Sequence, residues 1–119
     1  MDKTDMNSEL MLSVVVPVLN EAENIAPLIS EICSSLDGKL EYEIIYVDDG
    51  SDDATPEILS EIKSSCSRLR ILRHKTSCGQ STAITTGIHS AKAPWIATLD
   101  GDGQNDPADI PLLWEKMRG

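Results

Sequence analysis

Short, unbroken apolar runs alternate with segments of helical period along the chain. Leu12 to Val18 (LSVVVPV) is β-branched and carries no polar alternation, which predicts a strand buried on both faces. Asn20 then reads as a helix N-cap, with Glu23 in capping-box position. Ile25, Leu28, Ile29, Ile32, Cys33 and Leu36 follow at i, i+3, i+4, i+7, i+8 and i+11, one amphipathic stripe. Asp37-Gly38 ends that helix.

The run Tyr42 to Val47 predicts a second strand, leading into the turn Asp48-Asp49-Gly50-Ser51. Thr55 and Pro56 read as an N-cap and first-turn pair for a helix with Ile58, Leu59, Ile62 and Cys66 inward. Leu69 to His74 gives a third strand, short, flanked by charge and so placed near an edge. A helix of small residues from Gly79 carries Ile84, Gly87, Ile88 and Ala91 on one face, which allows close approach to a sheet. Ala93 to Asp100 is the fourth strand, and Pro107 opens a last helical pattern through Ile110, Leu113, Trp114 and Met117. The order βαβαβαβα with right-handed crossovers predicts an α/β fold: a doubly wound, mainly parallel sheet in the order 3-2-1-4, with helices on both faces.

At 119 residues the chain suits one domain with a single core. Residues 1–11 (MDKTDMNSELM) are polar and acidic, lack the pattern of a secretion signal, and read as a flexible leader to a domain over 12–119. Aromatic residues are 3% of the chain and Phe is absent, so the core is aliphatic, as a parallel sheet under helices prefers. A net charge of −10, from ten basic and twenty acidic residues, argues against a nucleic-acid binder. It leaves room for a phosphorylated small ligand bridged by a divalent cation. Cys33, Cys66 and Cys78 are odd in number and lack C-x-x-C spacing, which argues against a disulfide framework or zinc site and for a reducing, cytoplasmic setting. His74 and His89 belong to no metal-type spacing and read as surface or packing residues. No stretch reaches the ~20 apolar residues of a membrane span.

In such sheets ligands bind beyond the carboxyl ends of the strands, at the switch between strands 1 and 4. Asn20-Glu21, Asp48-Asp49 and Asp100-Gly101-Asp102 all fall on that rim. Taken singly, the first pair also reads as a helix cap and the second as a turn with side-chain hydrogen bonds. Asp100 and Asp102 are the sharper signal. Residues i and i+2 of an extended chain face the same way, and the glycines let a ligand come close. Oxygen ligands without sulfur or imidazole select a hard ion, Mg²⁺ or Mn²⁺, which takes its remaining ligands from water and substrate phosphates.

Four segments, SVVVPVLNEAENI, IIYVDDGSDD, GQSTAITTGI and LDGDGQNDP, resemble in order and spacing the nucleotide-binding half of family 2 glycosyltransferases of GT-A fold, nearest the polyprenyl- and dolichyl-phosphate sugar transferases. The resemblance runs over about residues 12 to 115. It implies a metal-dependent enzyme that moves a sugar from a UDP- or GDP-linked donor, with a lipid phosphate as acceptor. Pro17, Leu19, Asn20 and Glu21 would line the nucleoside pocket, and Asp48 and Asp49 would reach base and ribose. Gly79, Gln80 and Ser81 would lie on the ribose and sugar-phosphate side. Asp100 and Asp102 match the family's D-x-D metal motif, with Gln104 beside the metal or phosphates.

Two positions depart from the family pattern: Leu19 stands where an aromatic residue is common, and Ser77 where an Asn commonly precedes the Gly-Gln pair. The resemblance also implies a longer GT-A domain, and the expectation is that its C-terminal acceptor half is absent from these 119 residues. The expected setting of a longer form is the cytoplasmic face of a membrane. No residue is assigned as catalytic, because an ionised lipid phosphate hardly needs a general base. Two other readings are kept. One is a receiver-like Mg²⁺-binding signalling module, whose phosphoacceptor Asp would end strand 3. The other is a non-catalytic fragment that associates with itself through an exposed sheet edge.

Overall fold

In the computed structural model, the structure describes residues 9–101. Seven elements run β1 (Leu10–Val18), α1 (Ala22–Leu36), β2 (Glu41–Asp48), α2 (Thr55–Lys63), β3 (Leu69–Arg73), α3 (Gln80–Ser90) and β4 (Trp95–Thr98). The four strands form one sheet in the order β3-β2-β1-β4, and every neighbouring pair is parallel. This is the predicted topology. The helical pattern after Pro107 lies outside the described residues. The expected leader overlaps the sheet, since Leu10 and Met11 already belong to β1 and Leu10 pairs with Glu41.

Strand periodicity divides the core between two faces. Val14, Val16 and Val18 of β1 and Ile44 and Tyr46 of β2 pack with Ile25, Leu28, Ile32 and Leu36 of α1 and Leu59 of α2. Val15, Ile45 and Val47 point to the opposite face, against Ala83 of α3. Both faces of β1 and β2 are therefore covered, which is why their sequences are nearly continuous apolar runs. On the α3 side the helix sits so low over the sheet that a methyl group at Gly87 would overlap Val15 Cγ1 and lie 3.2 Å from Val47 Cγ2.

Three local expectations are corrected. Asn20 does not cap α1: the N-cap is Glu21, with no side-chain cap bond, and Asn20 takes a left-handed φ of 56°. Its side chain turns instead to the β2–α2 loop. Thr55 is the first residue of α2 and Ala54 its N-cap; the Thr55 hydroxyl serves another helix, as described below. On α3 the buried positions are Ala83 and Gly87, whereas Ile88 is 40% exposed. A narrow face of small residues is enough where helix and sheet approach this closely, so the branched Ile88 is displaced to its flank.

A buried polar group closes the far end of the sheet from the strand tips. Glu43, on β2, is 6% exposed. It accepts hydrogen bonds from Ser13 Oγ (2.6 Å), Lys92 N–H (2.9 Å) and Arg70 Nη1 (2.8 Å). Arg70 also donates to Ser90 O and Ser90 Oγ at the end of α3. Burial pushes the Glu43 carboxyl up, but these donors outweigh it and hold it below the ordinary carboxylate value.

Candidate functional site: a carboxylate-lined cleft at the strand tips

The carboxyl ends of β1, β2 and β4 and the start of α3 surround a cleft of about 290 Å³. Seven residues expected at a nucleotide or metal site line it: Pro17, Leu19, Glu21, Asp49, Gly79, Gln80 and Asp100. Val18, Ser77, Ala83 and Gly101 complete the wall. The cleft lies where the chain order reverses between β1 and β4, the position that the strand order alone predicts. Acidic residues from three different strand ends, Glu21, Asp49 and Asp100, line one space, in a volume at the lower limit of small-ligand pockets.

Asp49 is the best-anchored of the three. One oxygen, Oδ1, accepts from Cys78 N–H (2.8 Å) and lies 2.7 Å from His74 Nδ1. The other, Oδ2, accepts from Gly79 N–H (2.9 Å) and Ser77 Oγ (3.0 Å). Burial raises the Asp49 carboxyl, but the Cys78 amide, His74, the Gly79 amide and the Ser77 hydroxyl together hold it down at about 2. An ionised Asp49 requires the proton of a neutral His74 to sit on Nδ1, which leaves Nε2 to accept from Thr86 Oγ1 at 2.9 Å. Asp49 thus folds the β3–α3 loop around its own carboxylate and ties it, through His74, to α3. Gly79, with φ 101°, supplies the turn that aims its amide at the carboxylate.

His74 is therefore no surface or packing residue, as its isolation in sequence suggests, but an internal hydrogen-bond partner. Asp49, His74 and Cys78 also form the one group of metal-ligating side chains that converge among the described residues, with ligand atoms within 4.8 Å of one another. Sequence spacing could not reveal it, because β2 and the β3–α3 loop bring the three together. All four hydrogen bonds to Asp49 fit the group as a loop anchor.

Asp48 takes another direction. It is fully buried, outside the cleft lining, accepts from Ser51 N–H at 2.9 Å, and has Arg73 Nε 3.7 Å from Oδ2. Asn20 is exposed and likewise outside the lining. Ser81 is exposed at the start of α3 and does not line the cleft.

Asp100 follows β4 and is positioned from two sides. Gln80 Nε2 donates to its Oδ1 at 3.1 Å. Next to it Gly101 passes so close to β1 that a Cβ would overlap Val18 Cγ1 and stand 2.8 Å from Pro17 O. Only glycine permits that approach, which brings the end of β4 against the end of β1. Asp102 and Gln104 lie outside the described residues. Asp100 supplies a hard oxygen donor at the mouth of the cleft, the chemistry that Mg²⁺ or Mn²⁺ prefers.

With this geometry in hand, the comparison with known proteins is decisive. The model of the family described as "Glycosyl transferase family 2" matches residues 13–119. The chain belongs to glycosyl transferase family 2. Among curated relatives it is 40% identical over 118 residues to a dodecaprenyl-phosphate galacturonate synthase of Rhizobium johnstonii, covering 95% of this chain and 34% of the relative. It is 36% identical over 109 residues to a dolichol-phosphate mannosyltransferase of Pyrococcus furiosus, covering 92% and 30%. The chain thus spans about a third of the length of these relatives.

Among solved structures, the mannosyltransferase PcManGT of Pyrobaculum calidifontis, in complex with GDP-Man and Mn²⁺, shares the fold with a TM-score of 0.73 at 23% identity, over 82% of this chain and 29% of that one. S. aureus TarS in complex with UDP-GlcNAc gives a TM-score of 0.69 at 25% identity, over 77% and 26%. The family 2 glycosyltransferase expectation and the GT-A-like sheet order both stand. The receiver-like reading does not: β3 ends at Arg73 and is followed by His74, with no acid there. Among the described residues no helix is long and apolar enough to cross a membrane.

Proposed function

We propose that this chain is the donor- and metal-binding portion of a glycosyltransferase that moves a sugar from a UDP- or GDP-linked donor to a polyprenyl or dolichyl phosphate. One observation carries the reading: Glu21, Asp49 and Asp100, from the ends of three strands, line a single cleft at the switch point of a family 2 chain. The printed activities of the relatives, a dodecaprenyl-phosphate galacturonate synthase and a dolichol-phosphate mannosyltransferase, support the acceptor class. The UDP-GlcNAc held by TarS supports the donor class.

In this reading Leu19 offers an apolar surface to the base and Glu21 accepts a hydrogen bond from base or ribose, while Asp49, its acceptor positions taken by four loop donors, shapes the nucleoside side of the cleft. Gly79 and Gln80 face the sugar-phosphate side. Mg²⁺ or Mn²⁺ would be held by Asp100 with Asp102 and Gln104, and would supply neutralisation of charge on the leaving diphosphate. Asp100 fits that role by its oxygen donor and its place in the lining, and Gln80 orients it. A lipid phosphate attacks the anomeric carbon as an anion, since its second pKa is about 6, so the site needs no general base. The bond formed is sugar–phosphate, the bond broken is sugar–diphosphate, and the nucleoside diphosphate leaves.

Thermal melting with UDP- and GDP-sugars, with and without Mn²⁺, tests this. A ligand at a hundred times its dissociation constant adds about 2.7 kcal/mol of stability. The expected result is a metal-dependent rise in Tm with one nucleotide, lost in Asp102→Ala. No rise with either nucleotide in the intact protein would overturn the reading.

A further inference from the structure

The donor cleft leaves Ser51, Asp53 and Thr55 of the β2–α2 connection without a role, because they do not line it. They face the neighbouring β1–α1 loop, which carries the cleft residues Leu19 and Glu21. Three successive amides of that loop donate to them: Asn20 N–H to Ser51 Oγ (2.8 Å), Glu21 N–H to Thr55 Oγ1 (3.1 Å) and Ala22 N–H to Asp53 Oδ2 (3.4 Å). Asn20 returns the contact, its Oδ1 accepting from Asp52 N–H (2.9 Å) and Asp53 N–H (3.3 Å). Five bonds thus join two loops about thirty residues apart in sequence, in both directions.

This exchange explains features that are otherwise odd. Helix α1 has no cap from its own side chains; the amides of its N-cap Glu21 and its first residue Ala22 are satisfied from the other loop. Asn20 accepts the left-handed φ of 56°, a conformation that Asn tolerates better than most residues, because it turns the side-chain amide toward residues 52 and 53. Ser51, Asp53 and Thr55 alternate along the loop and each receives one of the three amides, Asn20 N–H going to Ser51, Glu21 N–H to Thr55 and Ala22 N–H to Asp53. Ser51 and Thr55 are buried, and Asp53 also accepts from Thr55 N–H at 2.8 Å, which stiffens the receiving side.

We propose that Asn20, Ser51, Asp53 and Thr55 form a clasp that positions the Leu19–Glu21 wall of the cleft, with Asn20 acting through its neighbours and not as a ligand of the nucleotide. The proposal rests on the donor-binding reading above for its consequence, and on the hydrogen bonds alone for its existence. The clasp fixes the backbone that follows Leu19 and that flanks Glu21 on both sides, so this wall of the cleft is in place before a ligand arrives and less ordering accompanies binding.

The test compares five proteins: wild type, Asn20→Gly, Asn20→Asp, Asp53→Ala and the double variant Asn20→Gly/Asp53→Ala. Glycine keeps the positive φ and deletes the acceptor, whereas aspartate keeps both. Affinity for UDP and GDP with Mn²⁺ is measured by calorimetry. Amide hydrogen exchange of residues 20–22 and 52–53 is measured without ligand. The clasp predicts that Asn20→Gly and Asp53→Ala each weaken nucleotide binding by about tenfold, that the double variant is little worse than either, and that Asn20→Asp restores binding. It also predicts that Asn20→Gly speeds exchange at Glu21 and Ala22, whose acceptors are Thr55 and Asp53.

Weakening by Asn20→Gly with no change in Asp53→Ala would make Asn20 a direct ligand and overturn the clasp, as would unchanged affinity in both. Faster exchange confined to Asp52 and Asp53 would also overturn it. Should the wild type bind neither nucleotide, the donor-binding reading fails while the exchange pattern still decides whether the two loops are coupled.

Discussion

Asp49 and Glu43 are both buried carboxylates held ionised by donated hydrogen bonds, one at the cleft and one at the opposite end of the sheet. In Asp49→Asn an amide nitrogen at the Oδ2 position donates and accepts from neither Gly79 N–H nor Ser77 Oγ. Leaving such donors unpaired costs about 1–3 kcal/mol, so a lower denaturant midpoint with an unchanged slope is expected. Glu43→Ala leaves Arg70 and the Ser13 hydroxyl facing a cavity and is expected to cost about 3 kcal/mol by the same measurement. Because both carboxyls titrate below their ordinary values of 3.8 and 4.5 when folded, the unfolded chain takes up protons first as pH falls. Their stabilisation is complete above about pH 5 and fades below it, for Asp49 down through about 2. Melting temperature should therefore drop between about pH 5 and pH 2.5, with a shallower dependence in Asp49→Asn. Neither network was legible in the sequence: Glu43 reads as one polar residue in an apolar strand, and the four donors to Asp49 lie 25 to 30 residues away.

The elements themselves were legible, because each depends on local pattern. The α1 stripe at Ile25, Leu28, Ile29, Ile32 and Leu36 is buried as its spacing predicts. Apolar runs without alternation marked β1 and β2 as central strands, and charge marked β3 as an edge. Helix starts were misread because Asn20 and Thr55 are good caps in isolation, while their side chains are used between loops. The inward face of α3 was misread at Ile88 because hydrophobicity favours isoleucine, whereas the distance from helix to sheet admits only Ala83 and Gly87. That closeness is testable. In Gly87→Ala the gain in helix propensity, about 1 kcal/mol, is opposed by overlap with Val15 and by displacement of α3, which cost about 1–3 kcal/mol. Net destabilisation in chemical denaturation is expected; a more stable variant would show that α3 shifts freely.

At the scale of the molecule, strand order places the cleft and the cleft gathers the acids. Sequence could supply the order, through the alternation of strands and helices, and the rim, through the position of each acidic cluster after its strand. It could not tell which acids turn inward: Asp49 lines the cleft while its neighbour Asp48 is buried beside Ser51. Ile88 and Ile96, 40% and 39% exposed, are large apolar side chains left uncovered among the described residues, and Ile96 lies on β4, which among those residues pairs with β1 alone. We propose self-association through that edge, so light scattering at high concentration should report a dimer or larger species; a monomer throughout would contradict it. The central claim is that the cleft binds a nucleoside diphosphate through a metal held at Asp100. Its most direct test is calorimetric titration of UDP and GDP into wild type and Asp100→Ala, each with Mn²⁺ and again after chelation with EDTA. The account predicts saturable binding of one nucleotide to wild type with Mn²⁺, weakened about a hundredfold by chelation or by Asp100→Ala. Equal affinity in all four conditions, or no binding in any, would contradict it.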